Sequence, residues 1–299
     1  MTVPMVYHPE YSIPWPEGHR FPMAKFSELY SVLKREGLIS KDSCYTPSEA
    51  SEETLLRVHD PAYVNRFLSG TLSARETRVL GLPWSQALVR RTRLEVGGTV
   101  LATKLALKFG LACQTAGGTH HAFPAHGSGY CALNDLAVAA RWVLDRAYAD
   151  KILILDLDVH QGDGTAAIFL NEPRVFTCSV HCQKNFPFRK QSSDLDVGLE
   201  RGTGDEIYLS ILKETLEKLF EKVQPNLVFY DAGVDVHQDD RLGHLNLSLE
   251  GIYQRDRLVL GACVARGVPV MAVIGGGYSK DINALAWRHF QLHRAAYSL

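Results

Sequence analysis

The sequence lacks a surplus of charge of either sign. Its 32 lysines and arginines stand against 33 aspartates and glutamates, a net of −1. That balance leaves no electrostatic footprint for nucleic acid or for an anionic membrane. Long apolar runs are missing too: the longest, near 258–274, is broken by Arg266 and Pro269, so no membrane span is expected. The start, Met1-Thr-Val-Pro-Met-Val-Tyr-His8, has neither a charged n-region nor an apolar core, and no signal peptide is expected. Six cysteines, at 44, 113, 131, 178, 182 and 263, form no CxxC pair. This excludes a cysteine zinc module and points to reduced thiols in a cytoplasmic protein, or a nuclear one in a eukaryote. The dinucleotide pattern GxGxxG and the P-loop are absent, so phosphate cradling is unsupported.

What is present is apolar residue in quantity and in order. At 299 residues and 46% hydrophobic content, the chain can build one large α/β domain spanning 1–299. Apolar runs predict strands at Val3–Tyr7, Leu111–Thr115, Ile152–Leu157, Val175–Val180, Leu227–Tyr230 and Val268–Ile274. Amphipathic spacing predicts helices near 23–36, 51–58, 61–69, 84–109, 134–148, 205–223, 248–266 and 280–297. Strand–helix alternation implies right-handed crossovers and a parallel sheet covered on both faces. The polar, Gly-punctuated segment 182–204 is read as a long functional loop.

The densest chemistry follows the third of these strands. Ile152 to Leu155 run into Asp156, Asp158 and His160, then Gly162 and Gly164. Residues two apart on a strand share a face, so if the strand continues to His160, three polar side chains crowd one side of its carboxyl end. Such crowding against an apolar strand is costly unless something binds, and a metal is the simplest resident. A helix-loop-helix calcium site is excluded, because its fifth and sixth positions would be His160 and Gln161. Other strand ends add Gly117-Gly-Thr-His-His121, Ser128-Gly-Tyr-Cys-Ala-Leu-Asn-Asp135, Tyr230-Asp-Ala-Gly-Val-Asp235 and Ile274-Gly-Gly-Gly-Tyr278. In open α/β sheets, sites are built at that end.

Together with Tyr7-His-Pro9, Val58-His-Asp-Pro-Ala-Tyr63 and Asp240-Arg-Leu-Gly-His-Leu245, these blocks resemble the histone deacetylase family, within the arginase–deacetylase superfamily. Gln161 and the 240–245 block look closest to its class IV branch. The resemblance implies a mostly parallel, eight-stranded sheet flanked by helices, and hydrolysis of ε-N-acyl-lysine, acetyl or longer, by metal-activated water. It implies Zn²⁺ on Asp158, His160 and Asp235, with an open position for water and the carbonyl. It further implies Tyr278 as carbonyl donor, His120 and His121 as the proton-transfer pair, and Asp156 and Asp163 as the carboxylates orienting them. A structural K⁺ on Asp156, Asp158, His160, Ser179 and Val180 is implied as well, as is an acyl channel of Gly129, Tyr130 and Phe188, with Phe186 close by.

The partner expected is an acylated lysine in protein or peptide, or a small acylated amine such as an acetylpolyamine. Neither nucleic acid nor membrane is expected as a partner. An arginase-like binuclear manganese centre is disfavoured, because Gly162 stands where a second metal needs a carboxylate. A non-catalytic zinc-containing acyl-lysine reader is the remaining alternative.

Overall fold

The computed structural model describes residues 3–299. Ile152–Asp156 forms β4 at the heart of one eight-stranded sheet, flanked by Leu227–Asp231 (β7) and Val175–Cys182 (β5). The others are Met5–Val6 (β1), Cys44–Tyr45 (β2), Leu111–Gln114 (β3), Leu195–Leu199 (β6) and Val270–Val273 (β8). The order is β2-β1-β3-β8-β7-β4-β5-β6, and every pairing is parallel. The sheet is thus wholly parallel where the resemblance implied mostly parallel.

Alternation along each strand assigns its side chains to two layers. Leu153, Leu155, Val228, Tyr230, Val270 and Ala272 pack towards one helical layer; Ile152, Ile154, Leu227, Phe229, Met271 and Val273 pack towards the other. The first layer is Lys25–Arg35 (α1), Asp205–Val223 (α8), Leu249–Ala265 (α9) and Ile282–Tyr297 (α10). The second is Gln86–Phe109 (α5) with Asp135–Leu144 (α6). Burial on both faces explains why β4 reads as a continuous apolar run, each such side chain contributing about 1.5–3 kcal/mol. No described helix is long and apolar enough to cross a membrane.

Glu52–Leu55 (α2), Pro61–Ser69 (α3) and Ala74–Leu80 (α4) lie in the N-terminal third, and Asp163–Phe169 (α7) follows β4. The segment 182–204 is not wholly loop: β6 sits inside it as an edge strand, with alternating exposure. Its sequence, Leu195-Asp-Val-Gly-Leu199, has too few apolar residues to stand out. Strand β2 is only two residues long, below any periodicity. Helices α4 and α7 also escape the reading, at seven residues each.

Candidate active site

Four adjacent strands, β3-β8-β7-β4, deliver the site from their carboxyl ends. After β4, Asp158 accepts from the His160 main-chain N–H at 2.9 Å, which curls the chain so that both side chains face inwards. After β7 comes Asp235, whose Oδ1 accepts from Val159 N at 2.9 Å and ties the two strand ends together. Gly276, after β8, donates its N–H to Asp158 Oδ2 at 2.8 Å. A Cβ on Gly276 would lie 2.2 Å from Asp235 Oδ2 and 2.4 Å from Asp158 Oδ2, so only glycine fits against the carboxylates.

Asp158, His160 and Asp235 are buried and bring one potential ligand atom each to within 4.8 Å of one another. His160 Nδ1 lies 3.0 Å from Asp158 Oδ1 and 3.2 Å from Asp235 Oδ2. Asp235 Oδ2 nonetheless has no hydrogen bond of proper geometry. An unsatisfied buried carboxylate oxygen is expensive. A cation at the point where the three atoms converge would satisfy it, and the Asp₂His donor set fits a divalent metal such as zinc. Burial alone would push His160 down, but Asp158 and Asp235 raise it to about 10, so this pocket stabilises positive charge.

The loop after β3 is held by a network on Asp135. Its Oδ1 accepts from Thr119 N at 2.8 Å and its Oδ2 from Gly118 N at 3.2 Å and Thr99 Oγ1 at 2.6 Å. Asn134, not Asp135, caps α6, accepting from Ala137 N at 2.9 Å. The histidines that follow the loop are both buried. His120 Nδ1 meets Asp156 Oδ2 at 2.7 Å, and His121 Nδ1 meets Asp163 Oδ1 at 2.6 Å. These partners differ in effect. Burial depresses both rings, but around His120 the charges of Asp156 and Asp158 outweigh it and hold the imidazole well above its usual range. His121 is pushed down to about 4 by burial, helped by the charge of His120. Tyr278 is raised well above the ordinary phenol value by burial and by Asp158 and Asp235, so it stays a hydroxyl donor.

A cavity of about 660 Å³ opens over this group, lined by His121, His160 and Tyr278 together with Gly129, Tyr130 and Phe186. Gly129 and Tyr130 both adopt positive φ, 52° and 68°, which turns the tyrosine ring to within 5.8 Å of the Tyr278 ring. A Cβ on Gly129 would meet the His121 ring at 2.6 Å. Phe186 packs edge-on to His121, centroids 4.8 Å apart. Phe188 does not: it lines the same cavity but is 94% exposed. Both phenylalanines line the cavity, and Phe186, two positions before the expected Phe188, is the one that stands against the His121 ring. Asp156 and Ser179 are paired in register on β4 and β5, with Val180 next, and Ser179 Oγ is 3.0 Å from His181 Nδ1.

Sequence reasoning passed over three features. Asp231 ends β7 fully buried, its two oxygens without hydrogen-bond partners, and Oδ2 lies 3.9 Å from His120 Nδ1. Burial and the nearby Asp156 raise its pKa well above the ordinary carboxylate value. Its signal was present in Phe229-Tyr-Asp231, a carboxylate on an apolar strand. Lys25 is buried beside the Tyr278 ring, 6.0 Å from its centroid, and donates to Gly275 O at 3.0 Å. Arg255, fully buried in α9, donates to the carbonyls of Leu157, Ala232 and Gly233 and pairs with Asp256. Neither cation carried a local signal, since both sit in ordinary helical patterns.

The histone deacetylase domain model matches residues 19–293. An uncharacterised protein of Picosynechococcus is 55% identical over 99% of both chains. Histone deacetylase 2 of Arabidopsis thaliana is 32% identical, covering 93% of this chain and 75% of its own. The acetoin utilization protein AcuC of Staphylococcus aureus is 29% identical over 91% of this chain and 76% of its own. In three dimensions, a histone deacetylase homologue crystallised with SAHA superposes with a TM-score of 0.84 at 24% identity, covering 99% of this chain and 84% of the other. A homologue from Aquifex aeolicus gives 0.83 with the same coverage and identity. On the strength of the domain match and the plant relative, the chain belongs to the histone deacetylase family.

Proposed function

We propose that the protein is a zinc-dependent deacylase that hydrolyses the amide of ε-N-acyl-lysine. The observation that carries the reading is the meeting of His121, His160 and Tyr278 at the buried end of one aromatic-walled cavity. Zinc held by Asp158, His160 and Asp235 would supply Lewis acidity, polarising the acyl carbonyl and acidifying a water.

The chain's own residues account for the rest. Phe186 and Tyr130 enclose the apolar acyl-lysine stem and keep water from it. Tyr278 donates its hydroxyl to the carbonyl oxygen as negative charge develops there. His121, neutral at physiological pH and oriented by Asp163, accepts the proton of the attacking water. As the amide C–N bond breaks, that proton passes to the departing amine. His120, fixed by Asp156 and with its ring 4.1 Å from that of His121, shares with it the delivery of the proton to the amine. The products are a carboxylate and a lysine amine.

Potassium on Asp156, Ser179 and the carbonyls of Asp158, His160 and Val180 is part of the same proposal. It would offset the carboxylates gathered below the histidines. A class IV character is proposed from Gln161, whose amide grips β6 and the loop before it: Nε2 donates to Gln191 O and Asp196 Oδ1, each at 2.7 Å.

The test is hydrolysis of acetyl-lysine and longer acyl-lysine peptides by the purified protein, before and after chelation and with zinc restored. Zinc-restored turnover is expected, and chain-length preference defines the acyl group. A protein that binds zinc firmly yet turns over none of these peptides would sink the reading.

A further inference from the structure

The mouth of the cavity carries three arginines and no carboxylate. Arg20 comes from the loop before α1, Arg78 from α4 and Arg241 from the loop after β7, so three separate segments place cations there. All three are exposed, and none makes an ion pair or side-chain hydrogen bond among the described residues. Glu17, three residues before Arg20, is exposed and does not line the cavity, and the acids beside Arg78 and Arg241 in sequence are engaged elsewhere. Asp240 turns inwards, accepting from Leu242 N, Gly243 N and Tyr278 N at 2.7–2.9 Å. Asp239 faces His237 and Arg288, at 3.8 and 3.7 Å. Glu76, on the helix of Arg78, is taken by Arg66 and Ser73. Lys190 is bound to the carbonyls of Asn185 and Pro187 on the adjoining loop, adding to the positive side.

Arg20 and Arg241 also line, with Leu242 and Tyr278, a recess of about 200 Å³. Arg241 donates its main-chain N–H to Tyr278 O at 3.0 Å, which fixes this recess beside the tyrosine. Guanidinium groups match carboxylates in geometry, and unpaired ones in a concave mouth focus the field on incoming anions.

We propose that the acyl-lysine hydrolysed here is flanked by acidic residues, whose carboxylate docks in the Arg20–Arg241 recess while Arg78 adds to the field at the same mouth. The inference rests on the deacylase reading and names its substrate class. The same charges repel polybasic tails and protonated polyamines.

The experiment compares the full-length, zinc-loaded protein on three peptides bearing the acyl group it turns over fastest, with the lysine flanked by Glu, Gln or Lys. Free Nε-acyl-lysine, which carries its own carboxylate, is the small-molecule arm. The expected kcat/KM order is Glu over Gln over Lys, with on the order of tenfold between the extremes, expressed in KM and shrinking in 1 M salt. Arg20→Glu and Arg241→Glu should reverse the order, and a melting curve on each variant establishes that it is folded. Equal rates, or a preference for the Lys-flanked peptide, overturn the proposal and leave the deacylase reading intact. Free acyl-lysine outrunning every peptide overturns the peptide source. No hydrolysis of any of them, with zinc bound, brings down the deacylase reading and this proposal with it.

Discussion

Each histidine of the pair at this site has a carboxylate that fixes its Nδ1, and these surroundings are what distinguish two otherwise identical imidazoles. His121 keeps a low pKa because only Asp163 offsets its burial, whereas His120 sits among Asp156, Asp158 and Asp231. Substituting Asp163→Asn should therefore cost about 10–100-fold in kcat, and His121→Ala about 10²–10⁴-fold. Tyr278→Phe should cost about 10²–10³-fold in kcat with little change in KM. Steady-state kinetics on an acyl-lysine peptide check all three, and full activity in Tyr278→Phe would remove the oxyanion role. Phe186→Ala should raise KM while the exposed Phe188→Ala should leave it nearly unchanged. At this scale, Asp156, Asp158 and His160 were readable as a polar cluster at a strand end, but the strand stops at Asp156, and a turn, not strand alternation, brings Asp158 and His160 inwards. Asp231 shares that end of the sheet, but its nearness to His120 depends on the order β3-β8-β7, in which a third strand separates the two, and no local pattern reports that order.

At the scale of elements, the carboxyl ends of β4 and β7 are held at a fixed spacing by Arg255 on α9. Its guanidinium reaches carbonyls just beyond both strands and stands against Asp256, which also accepts from Tyr230 at 2.5 Å. Arg255→Met should leave Asp256 buried and unpaired, at a cost of about 3–5 kcal/mol, measured as a shift in denaturant midpoint. An unshifted midpoint would deny the cross-strand role. Gly276→Ala tests the metal cradle, since its Cβ would displace the oxygens of Asp235 and Asp158. Zinc stoichiometry by elemental analysis should fall well below that of the unmodified protein, while far-UV circular dichroism stays the same. Long elements were legible in advance: α8 coincides with the predicted 205–223, and Ser248 caps α9, accepting from Gly251 N at 3.0 Å. Short ones were not. The two residues of β2 and the edge strand β6 derive their conformation from the neighbours they hydrogen-bond, not from their own composition.

Across the whole molecule, buried neutral histidines tie stability to pH. His59 bonds Phe123 O through Nδ1 at 3.1 Å and accepts from Asn134 N through Nε2 at 2.9 Å, which leaves no place for a second proton. Burial pushes its pKa from 6.5 to about 4. The unfolded chain then binds more protons between those values, so the stabilisation is complete above pH 6.5 and is lost as pH falls to about 4. The amount is on the order of 3 kcal/mol. His293, pushed by burial to about 3, works in the same direction. Denaturant midpoints at pH 7 and pH 5 should fall further apart in the native protein than in His59→Gln; equal separations would refute the assignment. What the sequence by itself determined is a parallel α/β sheet, its long helices and the polar cluster at the end of β4, all carried by local periodicity and strand-end chemistry, and, through the family resemblance of its motifs, Asp158, His160, Asp235, His120, His121 and Tyr278 as one candidate set. Only the tertiary structure decided how four strand ends meet, that Phe186 and not Phe188 stands against His121, and that Arg20, Arg78 and Arg241 share a mouth without an acid. The physical reason is range: hydrogen-bonded periodicity acts over a few residues, whereas charge and packing act between residues that only the folded chain brings together.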